Sequence, residues 1–293
     1  MITNLLGVIA PILVCTIIGF VWDKRGLPYD VNKITPLIVN VGTPCLVVST
    51  LLKVEINLQD VLTIFKYAVL VHVLALLIGF AAIKLTRQDI ATFLPSMFLP
   101  NNGNMGLPVC LFAFGDAGLA LAIAFFAISA VTQFTAGAAI ASGNMQIREV
   151  LAMPLLWGVV IALTLIGLDQ ELPTWLFNSL NLVGAFPIPM MLIGLGVSLS
   201  RLSVSNLPIA FLFSAVRVGG GCFIGWGIAE FFALEGVLRG VIIVQAAMPV
   251  ALFNYLFAAY YHRNAGAVAG MVVTSTAMSF LTLPFVLWLG LSP

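Results

Sequence analysis

Asn101-Asn102-Gly103-Asn104-Met105-Gly106-Leu107-Pro108-Val109 sits inside a long apolar run, and Gln245-Ala246-Ala247-Met248-Pro249-Val250 sits inside another in the second half of the chain. A proline in a helix interior has no N–H, so the carbonyl four residues earlier loses its partner. Those carbonyls belong to Asn104 and Gln245. In lipid such a group is tolerated only against protein or a water-filled cavity. A matched pair of interrupted apolar segments, one in each half, points to the binding site of a secondary transporter.

The rest of the chain places these segments in a membrane. It has 293 residues, 61% hydrophobic and 8% charged, with a mean hydropathy of +1.15. A soluble domain carries about 25% charged residues, and no soluble fold of this length could hide so much apolar surface. A net charge of +1 leaves no nucleic-acid footprint. Cys15, Cys45, Cys110 and Cys222 all lie in apolar runs without a CxxC spacing, so they read as packing residues and not as a disulfide set or a metal site. Met1 leads directly into an apolar segment with no basic region or cleavage site, which reads as a first span.

A spanning helix needs about 20 mostly apolar residues. Ten segments qualify: 2–21, 34–52, 61–83, 90–113, 117–141, 147–168, 174–199, 207–231, 238–260 and 266–290. Basic residues favour the cytoplasmic side. With the N-terminus outside, the inner links hold Lys24, Arg25, Lys33, Lys84, Arg87, Arg148, Arg201 and Arg263, against Lys53, Lys66 and Arg239 towards the outside. Both termini are therefore expected outside. The halves also look related. Pro108-Val109-Cys110-Leu111-Phe112 matches Pro249-Val250-Ala251-Leu252-Phe253, and Asp116-Ala117-Gly118 matches Asn264-Ala265-Gly266. Pro44 and Pro189 sit at similar places in the second and seventh segments. Five helices per half is an odd number, so the second copy is inverted. The expected fold is an all-α polytopic membrane protein of ten transmembrane helices. Two inverted repeats, 1–141 and 142–293, each contain a broken helix, the fourth and the ninth.

Interrupted helices have ends near mid-membrane. The N-terminal ends present free N–H groups suited to an anion such as a carboxylate, and the C-terminal ends present carbonyls suited to a cation. Asn101, Asn102, Asn104 and Gln245 add amides, with Gly103 and Gly106 loosening the first break beside Pro108, and Pro249 making the second. A plain structural kink is the competing reading. In the fifth segment Ser129, Thr132 and Gln133 share one face and with Gln245 could form a cation site, or they serve as helix–helix glue. His72 and Arg217 lie deep in the third and eighth segments. An arginine at mid-membrane costs roughly 3 kcal/mol on insertion scales, so it should face protein or water. Arg217 either attracts an anionic substrate or bonds backbone carbonyls near Gly219-Gly220-Gly221. His72 either titrates or is a neutral packed ring. Asp60 and Glu230 lie near span ends, which argues against a carboxylate proton relay. No HExxH, GxSxG or Walker loop is present, which argues against an enzyme and against an ATP-driven pump made of this chain alone.

At these residues the chain resembles the auxin efflux carrier family, which includes plant PIN-type carriers and bacterial permeases for malate or malonate. The resemblance rests on Asn101-x-x-x-Met105-Gly106-x-Pro108 and on Arg239-Gly240 through Val244-Gln245-Ala246-Ala247-x-Pro249 to Phe257-Ala258 and Tyr261. It implies an inverted-repeat fold like that of bile acid–sodium symporters. Segments 2–21, 34–52, 147–168 and 174–199 would form a scaffold, also the site of a homodimer contact. Segments 61–83, 90–113, 117–141, 207–231, 238–260 and 266–290 would form a moving transport domain. It further implies that the broken helices cross at Pro108 and Pro249 with substrate bound beside them, and that Asn101 is the foremost substrate-contacting amide. Asn254 stands near the same crossing and joins the substrate-contacting set. The link Ser142–Arg148 is short, as in prokaryotic members, so an inner (plasma) membrane location is expected. Gln245 is neutral where sodium-coupled relatives carry a glutamate.

The combined expectation is a secondary carrier for a small organic anion, an auxin-like or dicarboxylate compound, working by elevator-type alternating access. It needs no cofactor beyond Na⁺ or H⁺ as a coupling ion, and its partners are the anion, the bilayer and a second copy. A passive channel, a sodium-coupled symporter of bile acid-like substrates and a membrane sensor are the competing classes. A carrier saturates and shows counterflow, whereas a channel passes single-channel current.

Overall fold

A computed structural model of the chain describes residues 2–54 and 58–291. Met1, residues 55–57 and residues 292–293 lie outside the described residues. The described chain is helical throughout, and only one isolated β-bridge is found among these residues. In order the helices are α1 (Ile2–Lys24), α2 (Val31–Leu37), α3 (Thr43–Lys53), α4 (Leu58–Thr86), α5 (Ile90–Phe98), α6 (Leu107–Thr132), α7 (Ala138–Ser142), α8 (Ile147–Leu151), α9 (Pro154–Gly167), α10 (Thr174–Gly184), α11 (Pro187–Arg201), α12 (Leu207–Phe231), α13 (Gly236–Ala246), α14 (Leu252–Tyr260) and α15 (Ala265–Leu291). Each of the ten expected segments is thus helical, several in two or three pieces.

Seven helical runs are long and apolar enough to cross a membrane, and α9 and α13 are shorter apolar helices. One run, Asn102–Ser142, has 41 residues. At 1.5 Å per residue a straight helix of that size would be about 60 Å long, roughly twice a bilayer core. Gly115 divides it, with φ +67° and ψ −159°. That φ is readily adopted by glycine and strained for other residues, so the boundary falls between the expected segments 90–113 and 117–141. Leu62, Leu182, Phe223 and Leu281 turn outward and are largely exposed. Apolar surface of this extent on helix after helix suits lipid and not water.

Prolines explain most of the subdivisions. Pro44, Pro108, Pro154, Pro187 and Pro208 each stand in the first turn of a helix, where the missing N–H has no intrahelical partner to lose. Ahead of Pro44 and Pro108 the backbone widens into π-helical turns, Ile38–Gly42 and Asn102–Gly106. There the Thr43 and Leu107 N–H groups reach back five residues, to Ile38 and Asn102. A π-turn lets the chain continue helically past a proline. A third π-turn, Gln133–Gly137, joins α6 to α7.

Packing falls into two sets. α1 lies along α11, and α3 lies against α9 and α10. α4, α5, α6, α12, α13 and α15 pack among themselves, with α14 on α15. Lipid supplies no hydrophobic drive between helices, so close backbone approach through small residues matters. A Cβ at Gly196 would collide with the Thr16 carbonyl, and one at Gly19 with that of Ile193. The two sets touch through α1, α3 and α9 on α6, through α1 on α15, and through α11 on the π-turn Asn102–Gly106.

Basic ends are tied to one another. Arg201 donates to Asp23 Oδ1 and to the Tyr29 carbonyl, and Lys24 donates to the Ser200 carbonyl. These bonds join the C-terminal ends of α1 and α11. Arg263, in the link between α14 and α15, donates twice to the Ala141 carbonyl at the end of α7.

Candidate functional site

The two broken segments meet. Between α5 and α6 the chain is extended at Leu99, and between α13 and α14 it is irregular from Ala247 to Ala251. The Asn101 N–H donates to the Pro249 carbonyl at 2.7 Å, and the Ala251 N–H donates to the Leu99 carbonyl at 3.3 Å. Pro100 and Val250 therefore face each other as a single antiparallel bridge. Backbone groups that would be ruinous in lipid are paired across the two halves instead.

This geometry moves one expected break. Pro249 stands in its break, as read from the sequence. Pro108 does not stand in the other. It occupies the first turn of α6, past the π-turn, and the chain unwinds at Leu99-Pro100-Asn101. A residue preceding proline is driven out of the helical region, so the Leu99-Pro100 pair carried the signal in sequence. The backbone contact between the two segments is therefore Pro100 on Val250, and Pro108 stands past it in α6. Gly103 and Gly106 belong to the π-turn. A Cβ on Gly106 would fall on Gln245 Oε1, and one on Gly103 would lie 2.9 Å from the Phe126 ring. Gly106 thus lets the last turn of α13 rest directly on the π-turn.

Amides gather around the bridge. Asn101, Asn102, Gln245 and Asn254 are all buried, while Asn104 is half-buried on the same π-turn. Asn102 Nδ2 donates to Ser129 Oγ at 2.8 Å. Asn254 Nδ2 donates to the Leu99 carbonyl at 3.1 Å. Gln245 Nε2 lies 3.7 Å from Cys110 Sγ, a weak contact. Ser275 on α15 accepts the Val250 N–H at 3.0 Å. Each of the four buried amides keeps one side-chain atom without a protein partner: Asn101 Nδ2, Asn102 Oδ1, Gln245 Oε1 and Asn254 Oδ1. Buried polar atoms are paired in the large majority of cases, and each exception calls for an explanation. Four such atoms around one crossing are a feature of the site.

The expected cation stripe is only partly assembled. Ser129 joins the crossing through Asn102, but the Thr132 hydroxyl donates to the Ile128 carbonyl of its own helix at 2.8 Å. Gln133 opens the third π-turn and is half-buried. Arg217 is 2% exposed and donates through Nη2 to the Ala246 carbonyl at 2.9 Å. It thus bonds a backbone carbonyl, one at the C-terminal end of α13 and not of its own glycine run. A guanidinium there opposes the negative end of the half-helix dipole. His72 Nδ1 sits 2.7 Å from the Ala68 carbonyl one turn back, and its ring packs on Phe125 with centroids 5.8 Å apart. Cys110, Ser275 and the backbone of Leu99 are site members that sequence reading missed. Nothing local marks the first two, because they arrive on other helices.

Membrane helices broken in pairs and packed in this way are a transporter arrangement, and comparison with known proteins agrees. The chain matches the family described as membrane transport protein over residues 5–144 and 138–287. The chain belongs to this family. It is the auxin efflux carrier-like family to which the motifs around Pro108 and Pro249 pointed. An uncharacterized transporter of Methanocaldococcus jannaschii is 22% identical, over 98% of this chain and 99% of that protein. An uncharacterized transporter of Methanothermobacter thermautotrophicus is 23% identical, over 94% and 95%. As a member of a transport family with several membrane-spanning helices, the chain is an integral membrane protein.

Proposed function

We propose that this chain is a secondary carrier for a small organic anion, working by elevator-type alternating access. The observation that carries the reading is the crossing itself. Two broken helices are joined by two backbone hydrogen bonds, with four buried amides that each hold one unpaired atom against it. Such an arrangement supplies fixed polar contacts at mid-membrane while the backbone remains satisfied. Asn101, Asn102, Gln245 and Asn254 are the proposed contacts, with Asn104 beside them. The free Asn101 Nδ2 and the N–H groups opening α14 suit a carboxylate.

In this reading all ten segments cross the membrane, the halves are inverted copies, and both termini lie outside. The first packing set, α1, α3, α9, α10 and α11, is the scaffold, and the second set moves against it. Sparse contact between the sets supports that division. A second reading is favoured by one observation. Three of the four unpaired amide atoms are oxygens, assigned to Asn102, Gln245 and Asn254, and oxygen ligands suit a hard cation. Coupling to Na⁺ therefore belongs in the same test.

The test is uptake into proteoliposomes of radiolabelled benzoate, indole-3-acetate, malonate and malate, with and without Na⁺ and pH gradients. Saturable uptake with counterflow of at least one acid, and none of its amide, is expected. Equal flux of acid and amide, or unsaturable current, would overturn the carrier reading.

A further inference from the structure

A second polar feature shares no lining residue with the crossing. A cavity of about 400 Å³ is lined by residues of α1, α3, α10 and α11 and by residues of α6. Small-molecule sites run to about 300–1,000 Å³, so this space admits a small organic acid. Its walls are mostly apolar, with Ser49, Thr50 and Asn181 as polar points. Lys53 and Asp116 line it too, and they are its only charged lining residues among the described residues. They form an ion pair of 2.7 Å with side chains 50% and 44% exposed. Lys53 is the last residue of α3. Asp116 follows Gly115 and so begins the second stretch of α6. Both stand at helix ends, whereas Cys15, which also lines the cavity, stands well inside α1. The half-exposed pair marks the open end of the cavity, and Cys15, partly buried, is a second lining position on another helix. One ion pair thus links the proposed scaffold to the proposed moving domain across the mouth of the cavity between them.

The pairing has a chemical consequence. A half-exposed ion pair is weakly held and exchanges readily. An arriving carboxylate is a chemical equivalent of the Asp116 side chain. The geometry points to Lys53 as the residue that first receives the anionic substrate, with Asp116 as its built-in competitor and the pair as the outer latch of the cavity. An organic monoanion displaces Asp116 from Lys53, which recruits the anion and frees α6 from α3 in one exchange. A neutral molecule of the same shape has nothing to offer Lys53 and leaves the latch closed. This rests on the anion-carrier reading above and adds the residue that selects charge before the crossing is reached.

The native Cys15 supplies a readout that does not depend on transport. In the chain with Cys45 and Cys222 replaced by serine and the fully buried Cys110 kept, Cys15 is reacted in proteoliposomes with an anionic sulfonate thiosulfonate reagent and with its cationic trimethylammonium counterpart. Asp116→Asn should speed the anionic reagent relative to the cationic one by about threefold or more, and Lys53→Gln should slow it by a similar factor, since one charge at a cleft mouth changes local ion concentration on that scale. The double variant Lys53→Gln, Asp116→Asn, which leaves no net charge at the mouth, should return the reagent ratio to near the wild-type value while keeping the weakened anion uptake of Lys53→Gln. In uptake of the best acid from the panel, Lys53→Gln should raise KM severalfold with less effect on kcat. If both single variants shift the reagent ratio equally and in the same direction, or if the exchange Lys53→Asp with Asp116→Lys restores the wild-type KM, the pair is a simple strut and the inference falls. If the reagent ratios move as expected but no acid is transported, the latch stands and the carrier assignment fails.

Discussion

Replacing Asn101 by leucine separates a functional amide from a structural one. Asn101 is 4% exposed, and its Nδ2 has no partner in the protein. Its backbone carries the structural load. The N–H donates to Pro249 and the carbonyl accepts from Met105 and Gly106, at 3.3 and 3.1 Å. Leucine keeps all three bonds. It also removes an unpaired buried donor, a group that costs about 1–3 kcal/mol when left unsatisfied. Imperfect repacking takes back about 1 kcal/mol. Stability should therefore be unchanged or rise by about 1 kcal/mol, which is a Tm rise of about 2 °C for a chain of this size. Ser129→Ala is the matched control. It removes the acceptor of Asn102 Nδ2 and leaves that side chain, whose Oδ1 is already unpaired, with no bond at all. It should cost about 1–3 kcal/mol. Thermal unfolding in detergent and uptake in proteoliposomes are measured on the same preparations. Asn101→Leu should retain or raise Tm and abolish saturable uptake, whereas Ser129→Ala should lower Tm. An Asn101→Leu protein that melts well below wild type and still transports would refute the reasoning, because the amide would then be packing.

Arg217 bonds the Ala246 carbonyl at the end of α13, so Arg217→Gln should lower stability by about 2 kcal/mol, the worth of a charged hydrogen bond. Arg217→Lys should restore part of that, and KM for the anion should move less than Tm; a large KM change at constant Tm would return Arg217 to the substrate site. Asp89 caps α5 by accepting from the Thr92 N–H and hydroxyl at 2.8 and 2.6 Å. The Thr92 hydroxyl bond, ahead of the smaller backbone contributions, holds its carboxyl below the ordinary aspartate value of 3.8. A lowered folded-state value means stabilisation that is present above the unfolded value and lost as pH falls through the folded one. Asp89→Ala should thus cost about 1 kcal/mol between roughly pH 5 and 8, and the Tm gap to wild type should close below the ordinary value; a gap that persists in strong acid would deny the carboxylate its role. Gln170→Cys, in the link between α9 and α10, should react with an impermeant thiol reagent added outside intact cells, and reaction only from the cytoplasmic side would invert the proposed orientation.

Composition and hydrophobic run length were enough to place this chain in a membrane and to locate ten helical segments, because the length of an apolar run and the bilayer thickness are fixed by local geometry. The motifs around Asn101 and Gln245 were enough to find the family and to single out the two segments whose backbones meet. What a proline does was not legible. A missing N–H can be met by breaking the helix or by widening it, and the choice depends on what stands opposite. At Leu99-Pro100-Asn101 the freed backbone finds Pro249 and Ala251 from the other half of the chain, so the helix breaks. At Pro108 the chain widens into a π-turn and stays helical. Arg217 shows the same limit. Its charge demanded a partner, and the sequence could name only the kinds available. The partner is the Ala246 carbonyl at the end of a separate helix, supplied by the packing of α12 on α13 and by no residue near Arg217 in the chain.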